Sequence, residues 1–155
     1  MDNARIEAYW QSYLDTLPAD SPVRDKQYEA EGFGDSSQMA DELGALILSK
    51  TKTATWSALW EPEAEASSLP EVGQKTIGLD GNDDPLCTIE TTEVEVRPYN
   101  EVDARFAYEE GEGDRSLEYW RQAHWRFFSR TLPNMGKEPT PDMPLVCERF
   151  RVIHE

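Results

Sequence analysis

The segment SKTKTATWS, residues 49–57, sets Lys50 and Lys52 among Thr51, Thr53 and Thr55 in a chain that is otherwise strongly acidic. A lysine serves as general base for a hydroxyl nucleophile when burial or a nearby cation lowers its pKa. Lys52 and Thr55 are three residues apart. In an extended segment they project to opposite faces, so their meeting requires a turn or bend between them. Trp56 and Trp60 follow at i and i+4 of one another, and such aromatic faces either fill a core or stack a nucleobase. Glu93 and Glu95 alternate with Val94 and Val96 and read as a solvated edge, whereas Glu90 points either into an interior or to water. Glu109 and Glu110 end a helical segment, where the helix dipole disfavours acids. Phe33, Gly34 and Asp35 form a turn that either lets the backbone approach a ligand or simply leads into a helix.

Other chemistry is scarce. The chain has two cysteines, Cys87 and Cys147, and two histidines, His124 and His154. No pair of them has the spacing of a zinc site, and the zinc deaminase signature is absent. Both cysteines fall in strand-like segments and read as small buried hydrophobes. His124 lies at helical spacing from Leu117 and Trp120 and reads as a packed imidazole. Acid–base work must therefore come from carboxylates, lysines or hydroxyls, with no metal and no cofactor expected.

The 155 residues carry 31 Asp and Glu against 15 Lys and Arg, a formal net charge of -16. Wrapping duplex DNA runs on Lys and Arg neutralising phosphates, so this balance argues against it, while a small uncharged ligand escapes the objection. With 5 Trp, 6 Tyr and 5 Phe the chain has the core builders that a disordered acidic chain lacks. No apolar run approaches the length of a membrane span, and the first ten residues carry charges where a signal peptide has its apolar stretch. A cytoplasmic protein without membrane partners is expected.

The elements that must position these residues follow from periodicity. Ile6, Tyr9, Trp10, Tyr13, Leu14 and Leu17 predict a helix over 3–17, stopped by Pro18. Asp35 with Gln38 resembles a capping box ahead of a second helix bearing Met39, Leu43, Leu46 and Ile47. Strands are expected at 53–59, 74–79 and 86–96. In the last of these the apolar parity changes between Ile89 and Val94, which predicts a β-bulge near Thr91 and Thr92 beside Glu90. Asn100 is expected to cap a short helix, Ser116 or Asp114 to start an aromatic helix through Leu132, and LVCERFRVI to close the chain as a strand. Helices and strands intermix without a βαβ rhythm, so the expected class is α+β, a small barrel flanked by helices.

Four blocks, DELGALILSKTKTATWSAL, PLCTIETTEVEVRPYNEVD, FAYEEGEGDRSLEYWRQAHWRFF and MPLVCERFRVI, resemble in this order the ASCH-domain proteins of the PUA-like superfamily. The resemblance spans nearly the whole chain and implies a single domain over 1–155, with the N-terminal helix packed on a β-barrel. Members are associated with RNA or modified nucleosides, and compact members remove the acyl group from N(4)-acetylcytidine without a metal. The family motif G-x-K-x-x-T-x-R falls on Lys50, Lys52, Thr55 and Ser57, so Lys50 replaces the glycine and Ser57 the arginine. The resemblance implies Thr55 as nucleophile, Lys52 as base and Glu110, one step from Glu109, as the group that orients the lysine and delivers a proton. Lys50, Phe33, Asp35, Trp56 and Glu90 are then the expected substrate contacts. The expected partner is a small modified nucleoside, and the rival expectation is an RNA-binding module, possibly with ribonuclease activity.

Overall fold

The computed structural model describes residues 3–25, 27–33, 36–58 and 70–155. Its regular elements are α1 (Asn3–Leu14), β1 (Tyr28–Gly32), α2 (Ser37–Leu48), β2 (Ala54–Ala58), β3 (Lys75–Leu79), β4 (Pro85–Pro98), α3 (Ala104–Glu110), α4 (Leu117–Thr131) and β5 (Pro144–His154). The five strands follow the hydrogen-bonded order β1-β3-β4-β5-β2 in one sheet. The fold is thus α+β, as the intermixed periodicities imply. Contacts divide the chain into two compact units, Met1–Lys50 with Val72–Thr91 and Phe150–Glu155, and Thr51–Glu71 with Thr92–Arg149. Both β4 and β5 give residues to each.

In the first unit, Ile6, Trp10, Tyr13 and Leu14 recur at helical spacing and bury the inner face of α1 against Ile77 and Leu79 of β3. Helix α2 starts at Ser36, whose hydroxyl accepts the Met39 amide at 3.1 Å; Asp35, the expected cap, lies outside the described residues, as do Gly34 and Trp60. Leu43 and Ile47 of α2 pack with Phe33, Cys87, Ile89 and Phe150 in a second cluster. Strand β1 runs parallel to β3, and β3 antiparallel to β4. The described pairings of β3 with β4 shift register between Gly78 and Leu79, opposite the start of β4, and end at Glu90, just short of the bulge expected at Thr91 and Thr92. The expected position coincides with the point where β4 passes from one unit to the other. Beyond it the strand answers to different neighbours, and Val96 is exposed.

The second unit pairs β2 antiparallel with β5, Thr55 opposite Glu148 and Trp56 opposite Cys147. Its core gathers Tyr99, Phe106, Trp120, Phe128 and Leu132 around Ala54 and Cys147. Helix α3 is capped by Asp103, whose carboxylate accepts the Phe106 amide at 2.9 Å. Asn100, the expected cap, belongs to a 3-10 turn at Tyr99–Glu101 instead; an Asx oxygen caps only from the residue just before the first helical turn. Helix α4 is capped by Ser116, as expected. Among the described residues no helix is long and apolar enough to cross a membrane.

Candidate functional site

Lys52 stands between α2 and β2, and three contacts fix its backbone. The Thr53 amide donates to the Glu109 carbonyl at 2.8 Å, tying the entry of β2 to the end of α3. Arg115 donates to the Thr51 carbonyl at 3.3 Å. Gly111, at φ +78, ends α3 so close to this segment that a β-carbon there would lie 2.7 Å from the Thr51 oxygen. The lysine side chain is thereby directed inward rather than along the strand.

There Lys52 meets Glu110, the last residue of α3. Its Nζ donates to Glu110 Oε2 at 2.5 Å and to the Ala54 carbonyl at 2.7 Å, and both side chains are 1% exposed. The Glu110 carbonyl lies 3.4 Å away, so the ammonium also faces the negative end of α3. This offsets the unfavourable acid at a helix C-terminus. The other carboxylate oxygen, Oε1, accepts the Trp120 indole N–H at 3.0 Å. Glu109 points elsewhere, bridging Arg149 and Arg105 at 3.1 Å. Of the two adjacent acids, Glu110 is the one that reaches the lysine.

Two further groups complete the cluster. Glu112 Oε2 lies 3.6 Å from Lys52 Nζ. Burial raises the Glu112 pKa above its ordinary value, and the negative charge of Glu110 adds to this against the opposing pull of Lys52. His124 places Nδ1 2.6 Å from the Trp120 carbonyl, which can only accept, so the network assigns the proton to Nδ1. Its Nε2 then presents a lone pair 3.8 Å from Glu110 Oε1. Burial lowers the His124 pKa to about 4, and the ring is neutral at physiological pH. Glu110, Glu112 and His124 offer ligand atoms within 4.8 Å of one another. The Lys52 ammonium already lies against both carboxylates and supplies the positive charge that a metal would bring.

The remaining expected residues are placed as follows. Thr55 sits on β2 facing the side opposite Ala54 and Trp56, and among the described residues no hydrogen bond joins its hydroxyl to Lys52 or Glu110. Trp56 is half-buried, with its ring 4.9 Å from those of His124 and Phe128. Lys50, Phe33 and Glu90 belong to the first unit. Lys50 pairs with Glu155 at 3.3 Å on the surface, and it adopts φ +63. This left-handed conformation suits the glycine that the family motif has there. Phe33 is buried and stacks on Phe150. Glu90 accepts from Lys75 at 2.8 Å and from Arg151 at 2.7 Å, pairings that outweigh its burial and lower its pKa. Burial pushes the Cys87 and Cys147 thiols up to about 11 and about 12, so neither offers a thiolate.

Residue types and spacing alone do not single out Glu112, and they assign His124 only a packing role. The available signal was the run Glu110-Gly111-Glu112-Gly113, two acids each followed by a glycine, ahead of a helix with Trp120 and His124 at i and i+4.

Comparison with known proteins agrees with this architecture. The ASCH domain family model matches residues 29–154. The ASCH domain from Lactobacillus crispatus JV V101 is 32% identical, with a TM-score of 0.92 over 98% of this chain and 96% of that one. Protein EF3133 from Enterococcus faecalis V583 is 40% identical, with a TM-score of 0.86 over 97% and 89%. No curated protein matches. A family match over most of the chain, together with the α+β fold that places Lys52 against Glu110, shows that the chain belongs to the ASCH domain family, with its PUA-like fold.

Proposed function

We propose that this ASCH domain is a metal-independent amidohydrolase that removes the acyl group from N(4)-acetylcytidine or a related modified nucleoside. The observation that carries the reading is the Lys52–Glu110 pair, joined at 2.5 Å with both side chains sealed from solvent. Desolvating two charges costs about as much as their attraction returns, so a buried ion pair is weakly explained by stability. Buried titratable groups held against one another are the arrangement that proton-transfer chemistry uses.

The pair shares one mobile proton. Its passage from Nζ to Glu110 Oε2 leaves a neutral amine, which accepts the proton of a hydroxyl as that oxygen attacks the acyl carbon. Thr55 supplies the hydroxyl in this reading. Catalytic hydrogen bonds are often long or unmade before substrate binds, and the contact between Thr55 and Lys52 is expected to form only with substrate in place. Trp56, beside His124, edges the cytosine ring. The net charge of -16 supports a neutral nucleoside over a long polyanion.

Incubation with N(4)-acetylcytidine in the presence of a chelator is expected to release cytidine. Thr55→Ala and Lys52→Met are each expected to abolish release, and full activity in both variants refutes the mechanism. Tight binding of an RNA oligomer with a steep salt dependence, without nucleoside turnover, favours the RNA-binding alternative.

A further inference from the structure

The run from Glu110 to Gly113 shapes the cluster as much as the helices do. Gly111 and Gly113 adopt φ +78 and +59. A β-carbon on the first would strike the Thr51 carbonyl, and one on the second the Tyr119 ring. Glycine alone meets both conditions. The two left-handed residues carry the chain round so that the carboxylates of residues 110 and 112 converge on one ammonium, at 2.5 and 3.6 Å.

The two acids differ in access. Glu110 is sealed, and both its oxygens already accept, one from Trp120 and one from Lys52. Glu112 is 27% exposed, with one side in the cluster and the other toward solvent. One of its carboxylate oxygens lies within 4.8 Å of ligand atoms of both Glu110 and His124. Two carboxyl groups this close resist carrying a charge each, and with Glu110 already accepting from Trp120 and Lys52 while burial raises the Glu112 pKa, the proton is more readily held on Glu112. Lys52, Glu110 and His124 are the charged or titratable groups that face it.

We infer that Glu112 is the acid that protonates the departing amine, while Glu110 is a positioning residue that holds Lys52; the inference rests on the acyl-nucleoside reading above. The nucleophilic oxygen loses its proton to the Lys52 amine and bonds to the acyl carbon. The bond from that carbon to N4 then breaks with its electron pair on nitrogen, which takes the proton of the Glu112 carboxyl. In the second half, water attacks the acyl ester and gives a proton to the Glu112 carboxylate. Lys52 returns its proton to the leaving hydroxyl oxygen, and the cluster regains its starting state.

The test compares Glu112→Gln with the unaltered protein on two substrates, N(4)-acetylcytidine and p-nitrophenyl acetate, whose phenolate leaves without a proton. A general acid contributes roughly 100-fold or more, so first-turnover release of cytidine is expected to fall by about that factor, while first-turnover release of p-nitrophenolate, which precedes the water step that both substrates share, keeps its rate. The alkaline limb of the amide pH profile is expected to vanish with the carboxyl, and Glu112→Asp to restore part of the rate. Equal loss on both substrates, or none on the amide, overturns the assignment while leaving the acyl-nucleoside reading intact. If the unaltered protein turns over no amide, that reading fails, and the carboxyl carbon resonance of Glu112 in the free protein decides the rest. A midpoint displaced upward keeps Glu112 as the proton carrier of the cluster, and one in the ordinary carboxylate range overturns it.

Discussion

Replacing Lys52 by methionine removes the ammonium that Glu110 faces at 2.5 Å in a site where both side chains are 1% exposed. Breaking a buried ion pair by deleting one partner costs about 3–5 kcal/mol, because the remaining charge is left without compensation. Lys52→Met is expected to lose stability in this range. Glu110→Gln is expected to lose less, since without the Glu110 charge the Glu112 carboxyl, 3.6 Å from Lys52, ionises more readily and compensates the ammonium, and the glutamine oxygen still accepts the Trp120 indole N–H. With both changes no charge is stranded at this pair, so the double variant is expected to recover at least about 2 kcal/mol relative to the sum of the single losses. The assay is equilibrium urea unfolding of the four proteins at one pH. Additivity within about 0.5 kcal/mol refutes the claim that these two side chains form one buried electrostatic unit.

Two further outcomes follow from the same geometry. His124, with its pKa lowered to about 4, binds its proton less readily when folded than when unfolded, so its contribution is complete above the usual imidazole value and is lost as pH falls toward 4. Glu112, raised by burial, acts with the opposite sign, its contribution being lost as pH rises through its folded value. Comparing the unaltered protein with His124→Gln isolates the histidine. The difference in their stability is expected to shrink by on the order of 3 kcal/mol between neutral pH and pH 4, and a pH-independent difference contradicts the burial argument. Gly111→Ala meets both a φ of +78 and a carbonyl at 2.7 Å, whereas Gly73→Ala at φ +91 meets nothing within 4 Å. Thermal unfolding is expected to show a loss of about 1 kcal/mol at Gly73 and clearly more at Gly111; equal losses contradict the close approach.

Much of this fold is legible because burial and periodicity coincide. Ile6, Trp10, Tyr13 and Leu14 recur at helical spacing and do face β3. Trp120, His124 and Phe128 do the same on the inner side of α4. Where two physical causes compete, the pattern misleads. The parity change between Ile89 and Val94 falls where β4 passes from one compact unit to the other, and alternation alone does not separate a bulge from a change of neighbours. Asn100 and Asp103 are both competent caps, and only the position of the first helical turn chooses between them. Lys52 and Glu110 are 58 residues apart, and spacing alone says nothing of their meeting, whereas the family motif names both. Glu112 escapes notice because its place in the cluster depends on the two left-handed glycines around it, a property of backbone angles rather than of residue types.

The central claim is that the buried Lys52–Glu110 pair is kept for chemistry rather than for stability. The rate of cytidine release from N(4)-acetylcytidine by the folded double variant Lys52→Met with Glu110→Gln, relative to the unaltered protein, tests it most directly. A folded protein without measurable release is expected. Release at the unaltered rate contradicts it.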